Sequence, residues 1–151
     1  MERLASRAIA PAQPRPVEIS RLVLETTFLI DLERESRAGV HGAAGRFLED
    51  HGKARFYITV TIAGEFAAGP SMADRSAWEG FLAPFHVLPT TIEAAWHFGR
   101  SFAHLRANGT LIGTNDLWIA ATALAHQMPV VTRNTRHYRR VPGLEVVSYE
   151  R

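Results

Sequence analysis

Cysteine is absent from the 151-residue chain, and lysine occurs once, as Lys53, among the 17 basic Lys and Arg residues. Without cysteine there is neither a disulfide framework nor a thiolate metal site, which fits a reducing, cytoplasmic setting. The single lysine excludes most amine-dependent chemistry. Its Gly52–Lys53 pair lacks the upstream glycine and the following Ser or Thr of a phosphate-binding loop, having Phe47 and Ala54 there. No Gly-x-Gly-x-x-Gly occurs, so a dinucleotide-binding turn has no fingerprint. A phospho-receiver domain would need a lysine after a late strand, and none is there. Long apolar runs are missing too. The longest, Leu117 to Ala125, is broken by Thr122 and falls far short of the ~20 residues of a membrane helix.

What the chain does have is a core. At 46% hydrophobic it can fill one domain of ordinary size. The net charge of +2 is unevenly spread: residues 1–20 are slightly basic, residues 21–132 are acidic on balance, and residues 133–151 hold the positive excess. Residues 1–20, with Pro11, Pro14 and Pro16 and no sustained periodicity, read as a flexible leader, and residues 21–151 as the folded domain.

From Arg21 onward, short β-rich runs alternate with helical ones. Leu22–Leu24, Phe56–Val60, His86–Leu88, Pro129–Thr132 and Leu144–Val147 read as strands. Helices are expected near residues 26–32, 43–50, from Thr61, across 72–82, from a Thr90/Glu93 capping box to Ala107, and over 115–127 behind caps at Thr114 and Asn115. The alternation implies a three-layer α/β/α domain with a mainly parallel sheet of four to five strands. Asp31, Glu33 and Glu35 are expected on a solvated helix face with Arg34 and Arg37. Trp96, Phe98 and Phe102 are expected in the core or at a dimer seam.

Sites in such folds collect outside the carboxyl ends of the parallel strands. Glu25 directly follows the first strand, and Glu65 lies on the helix after the second. Asp116 is in the first turn of the helix over 115–127, and Asn134 stands two residues beyond Thr132 at the end of the fourth strand. Each alone has an ordinary account as a helix-terminus charge, a strand-end charge or a turn residue. Together, three carboxylates and an amide at one sheet edge would repel unless a cation neutralised them. Oxygen ligands without cysteine suit Mg²⁺ or Mn²⁺, and such sites hydrolyse phosphodiesters.

Four stretches, Leu22–Asp31, Ile58–Glu65, Asn115–Ala121 and Val130–Thr135, resemble in order the motifs of PIN-domain ribonucleases. The closing run Tyr138–Leu144 is similar to the tail of the VapC toxins within that family. The resemblance covers residues 21–149 and implies a Mg²⁺- or Mn²⁺-dependent endoribonuclease of a toxin–antitoxin pair. Glu25, Glu65 and Asp116 would hold the cation and the attacking water, Asn134 would take the fourth acidic position, and Thr132 would orient the site. It further implies a homodimer and a cognate antitoxin as partners of the chain.

Two departures stand out. The family's first acid is normally aspartate, and Glu25 adds a methylene; the fourth position is an amide, with Asp31 a lesser candidate to compensate. Both leave open a catalytically weak RNA-binding or protein-interaction module, and a DNA-directed nuclease of the same fold is a third reading. Arg133, Arg136, Arg139 and Arg140 flank Asn134 as candidate contacts to RNA phosphates, with Tyr138 the nearest aromatic for base stacking. A Glu25–Asp116 separation above ~10 Å would exclude the metal site, since paired ions stand ~3.5–4 Å apart.

Overall fold

The computed structural model describes residues 20–150. The expected leader therefore lies outside the described residues, apart from Ser20. Five strands form one sheet: β1 (Arg21–Leu24), β2 (Arg55–Thr59), β3 (His86–Leu88), β4 (Val130–Val131) and β5 (Val146–Val147). All pairings are parallel, in the order β3-β2-β1-β4-β5. Helices α1 (Thr26–Ala38), α2 (Ala43–Asp50), α3 (Val60–Ala67), α4 (Arg75–Leu82), α5 (Ile92–Ala107), α6 (Thr114–Ala125) and α7 (Thr135–Tyr138) flank it. The α/β fold expected from the alternation is the fold observed.

The central strands explain their own composition. Leu22, Val23 and Leu24 of β1 and both valines of β4 are fully buried, because a strand covered on both faces leaves no side for polar residues. β1 pairs with β2 on one side and β4 on the other. The strand order reverses there, at the point where open parallel sheets leave a crevice.

Several helix starts differ from the expected ones. Val60 begins α3 rather than ending β2, because the buried Thr59 hydroxyl accepts from the Ile62 N–H at 3.2 Å and caps the helix. Thr91, not Thr90, caps α5, accepting from the Ala94 N–H at 3.2 Å. α4 starts at Arg75 behind Asp74, whose carboxylate accepts from the Ala77 N–H at 2.8 Å. At α6 the cap position is Gly113, and Thr114 and Asn115 lie inside the first turn.

The acidic face of α1 is not merely solvated. Glu35 reaches across to the start of α2, where its carboxylate accepts from the backbone N–H groups of Gly42 (2.6 Å), Ala44 (3.1 Å) and Gly45 (3.0 Å). It thereby supplies the cap that Gly42 has no side chain to make. A Cβ at position 42 would stand 2.6 Å from the Glu35 carboxyl carbon, so a larger residue there would push the capping carboxylate aside. Asp31 is bound to Arg133 at 2.9 Å and to the Tyr149 hydroxyl at 2.5 Å. Glu33 pairs with Arg37 one helical turn on.

Of the three aromatics on α5, Phe98 stacks on Trp118 at 4.1 Å and Phe102 packs beside it. Trp96 is 63% exposed and carries the Arg100 guanidinium over its ring, so it is not a core residue.

Candidate active site

Glu25 is the residue at which β1 becomes α1. Its backbone N–H bonds the Val131 carbonyl at 3.0 Å, anchoring it between β1 and β4, and its side chain is buried at 3% exposure. Glu25 is also the N-cap of α1: Oε2 accepts from the Thr27 N–H at 3.0 Å. The same oxygen accepts from the Thr27 hydroxyl at 2.6 Å and the Thr132 hydroxyl at 2.7 Å. Those hydroxyls in turn accept from the backbone N–H groups of Arg133 and Asn134, each at 3.0 Å. The loop after β4 is thus wired through two threonines to one carboxylate oxygen.

Oε1 of Glu25 has a different neighbour. The Tyr138 hydroxyl lies 3.3 Å from it and 3.2 Å from Oδ1 of Asp116, in the first turn of α6. The two carboxylate oxygens are therefore no farther apart than these two distances laid end to end, well inside the limit set from sequence. Oδ2 of Asp116 meets His137 Nε2 at 3.2 Å. Tyr138 is fully buried, so it is no stacking platform for a base, contrary to expectation. Burial first, and then the charges of Glu25 and Asp116, push its hydroxyl well above the ordinary tyrosine range.

Glu65, on α3, completes the acidic edge. The Thr26 hydroxyl donates to its Oε2 at 3.1 Å, while Oε1 is enclosed without a hydrogen-bond partner. Burial raises its pKa above the ordinary carboxylate value; the Thr26 bond opposes this, and the negative Asp116 and Glu25 add to it. Asn134 touches this arrangement through its backbone, and its side chain makes no cap bond to α7.

Arg133, though exposed, is paired with Asp31, which takes Asp31 away from the role of compensating ligand. Arg136 and Arg139 are exposed, and Arg140 is exposed with Nη1 on the Leu111 carbonyl at 3.4 Å. The approach of His137 and Tyr138 to the acids is not expected from the sequence pattern. Its signal there is a single aromatic inside the basic run Thr135–Arg140 of an otherwise polar segment.

Among the described residues, no group of three or more His, Asp or Glu side chains stands close enough to enclose an ion. Mg²⁺, however, commonly takes only one or two carboxylates and keeps its waters. An all-oxygen donor set and an enclosed, unpartnered carboxylate oxygen on Glu65 fit a hard divalent cation. Also among the described residues, no helix is long and apolar enough to cross a membrane.

A parallel α/β domain with carboxylates gathered at the strand-order reversal defines a class in which the strand ends carry the site. The chain belongs to the PIN domain family, whose model matches residues 22–144. Ribonuclease VapC of Rickettsia bellii is 39% identical over 64 residues, covering 42% of this chain and 48% of that protein. The tRNA(fMet)-specific endonuclease VapC of Salmonella typhimurium is 38% identical over 71 residues, covering 47% of this chain and 54% of that protein. The chain thus matches about half the length of these curated relatives. In structure it is similar to a chain of VapBC2 from Rickettsia felis, solved bound to a DNA fragment from its promoter. The TM-score is 0.74 at 22% identity, covering 86% of this chain and 99% of that one.

Proposed function

We propose that the chain is a metal-dependent endoribonuclease, the toxin of a toxin–antitoxin pair, cleaving RNA phosphodiesters with Mg²⁺ or Mn²⁺. The observation that carries the reading is the convergence of Glu25, Asp116 and Glu65 at one sheet edge, with one oxygen of Glu65 left unpartnered. The names of its ribonuclease relatives support it.

Of Glu25, Glu65 and Asp116, one or two carboxylates would hold the cation directly and the remainder through its waters, and the bound cation would polarise the phosphodiester and activate water. Thr132 and Thr27 fix the Glu25 carboxylate, and Asn134 flanks the site at its fourth position. Arg136, Arg139 and Arg140 offer charge to the RNA backbone, which positions the strand without reading its sequence. Arg133 takes a smaller part, being paired with Asp31. Similar solved structures are VapBC complexes, which supports a cognate antitoxin as partner, and the exposed Ile92 and Trp96 on α5 suit a homodimer contact. The absence of cysteine accords with action in the cytoplasm.

Asp116→Asn is expected to abolish Mg²⁺-dependent RNA cleavage by the purified chain; unchanged cleavage would overturn the reading. A second reading, a catalytically weak RNA-binding or protein-interaction module, is favoured by the three donors already on Glu25 Oε2. RNA binding without Mn²⁺ binding at millimolar concentration would select it. RNA and DNA substrates compared in one buffer separate off a DNA-directed nuclease.

A further inference from the structure

Oε2 of Glu25 is spent on three donors, leaving Oε1 as the oxygen that faces Asp116. We propose that Tyr138 is a positioning residue of this site, its hydroxyl holding Glu25 Oε1 and Asp116 Oδ1 at the separation that receives a divalent cation. The inference rests on the nuclease reading above and adds a residue to it.

The geometry supports this role in three ways. A phenol carries one hydrogen, so it cannot donate fully to both carboxylates, and separations of 3.3 and 3.2 Å are long for O–H···O bonds. Each carboxylate oxygen is therefore held but not saturated, and keeps lone pairs for a cation. The ring is fully buried, and the backbone around it is pinned by the Tyr138 N–H on the Asn134 carbonyl and the Val141 N–H on the Tyr138 carbonyl. Asn134 ties no two acids together: it bonds the site through its backbone N–H, to Thr132. The hydroxyl of Tyr138, four residues further along the chain, is what spans the pair.

Partners of this kind, one step out from the ligands, typically change metal affinity by 10- to 100-fold when removed. Tyr138→Phe deletes one oxygen and keeps the ring. Calorimetric titration of the metal-free full chain with Mn²⁺ is expected to show about tenfold weaker binding in Y138F than in the wild type. Cleavage by Y138F should return to the wild-type maximum at saturating Mn²⁺, a shift in metal requirement without a fall in kcat. Tyr149→Phe is the matched control: it removes another phenol oxygen, one bonded to Asp31 rather than to Glu25 or Asp116, and its Mn²⁺ affinity should not change.

Equal Mn²⁺ affinity in Y138F and wild type, or equal weakening in Y138F and Y149F, overturns the positioning role. Failure of the wild type itself to bind Mn²⁺ overturns the nuclease reading, and the role of Tyr138 with it. Should Y138F not fold, ring-labelled tyrosine in the wild type gives the answer by NMR. The Tyr138 phenol carbon must shift as Mg²⁺ binds, and its invariance sinks the proposal.

Discussion

The Thr26 hydroxyl donates to Oε2 of Glu65 at 3.1 Å, across the junction between α1 and α3, and leaves Oε1 of the same carboxylate enclosed and unpaired. A carboxylate half-satisfied in this way favours its proton. Glu65 holds that proton more tightly in the folded chain than in the unfolded one. Its contribution to stability is therefore fully present below the ordinary value of 4.5 and is lost as pH rises through the raised value. Glu65→Gln is expected to raise the Tm of the metal-free protein at pH 7. The gain should vanish near pH 4, as thermal melts at the two pH values will show.

Cation binding should act on the same group in the opposite sense. A divalent ion favours the ionised carboxylate, so binding releases a proton and strengthens with pH. Mn²⁺ at ~100 times its Kd would add about 2.7 kcal/mol to stability. The Tm of the wild type should rise on Mn²⁺ addition at pH 7, rise less at pH 5, and return to baseline with EDTA. Glu65→Gln should blunt the response.

Glu35 gives a test of the fold away from the chemistry. It serves three N–H groups at the start of α2, where the N-cap residue makes no side-chain bond of its own. Glu35→Ala is expected to cost about 1–2 kcal/mol in urea denaturation, as loss of a helix cap does. Mn²⁺ affinity should be unchanged.

The arginines after β4 are expected to divide by their partners. Arg136 and Arg139 are exposed, whereas Arg133 is held by Asp31 at 2.9 Å. Arg136→Ala or Arg139→Ala should weaken single-stranded RNA binding and lower the slope of log K against log salt by about 0.7 for each phosphate that is no longer neutralised. Arg133→Ala should change the slope less and lower stability more, because it strips a partner from Asp31. Fluorescence anisotropy across a salt series measures the slopes.

The primary sequence determined the order of strands and helices, and their junctions to within a residue or two at β1–α1 and β2–α3. Apolar β-rich runs followed by helical periodicity place Glu25 and Glu65 near the carboxyl edge of a parallel sheet, because in this architecture that edge is where strands give way to helices, whereas Asp116 opens α6, which follows α5 rather than a strand. The fold class followed from the same alternation, and the excess positive charge after β4 is visible in composition. Local capping is less legible. Thr59, Thr91 and Gly113 take cap positions that the sequence pattern offers equally to their neighbours, since polar and small residues cluster at each start and only backbone geometry selects one.

Tertiary structure alone decided which polar groups meet. Tyr138 lies 113 residues from Glu25 and 22 from Asp116, Tyr149 lies 118 from Asp31, and Arg133 lies 102 from Asp31. Glu35 reaches past a turn to cap a separate helix. Hydrophobic periodicity encodes which face of an element is buried, but not which strand lies beside which. These pairings exist because the order β3-β2-β1-β4-β5 sets the loop after β4 against the end of β1. The acids could be found one by one along the chain; the hydroxyl between two of them belongs to the packed sheet.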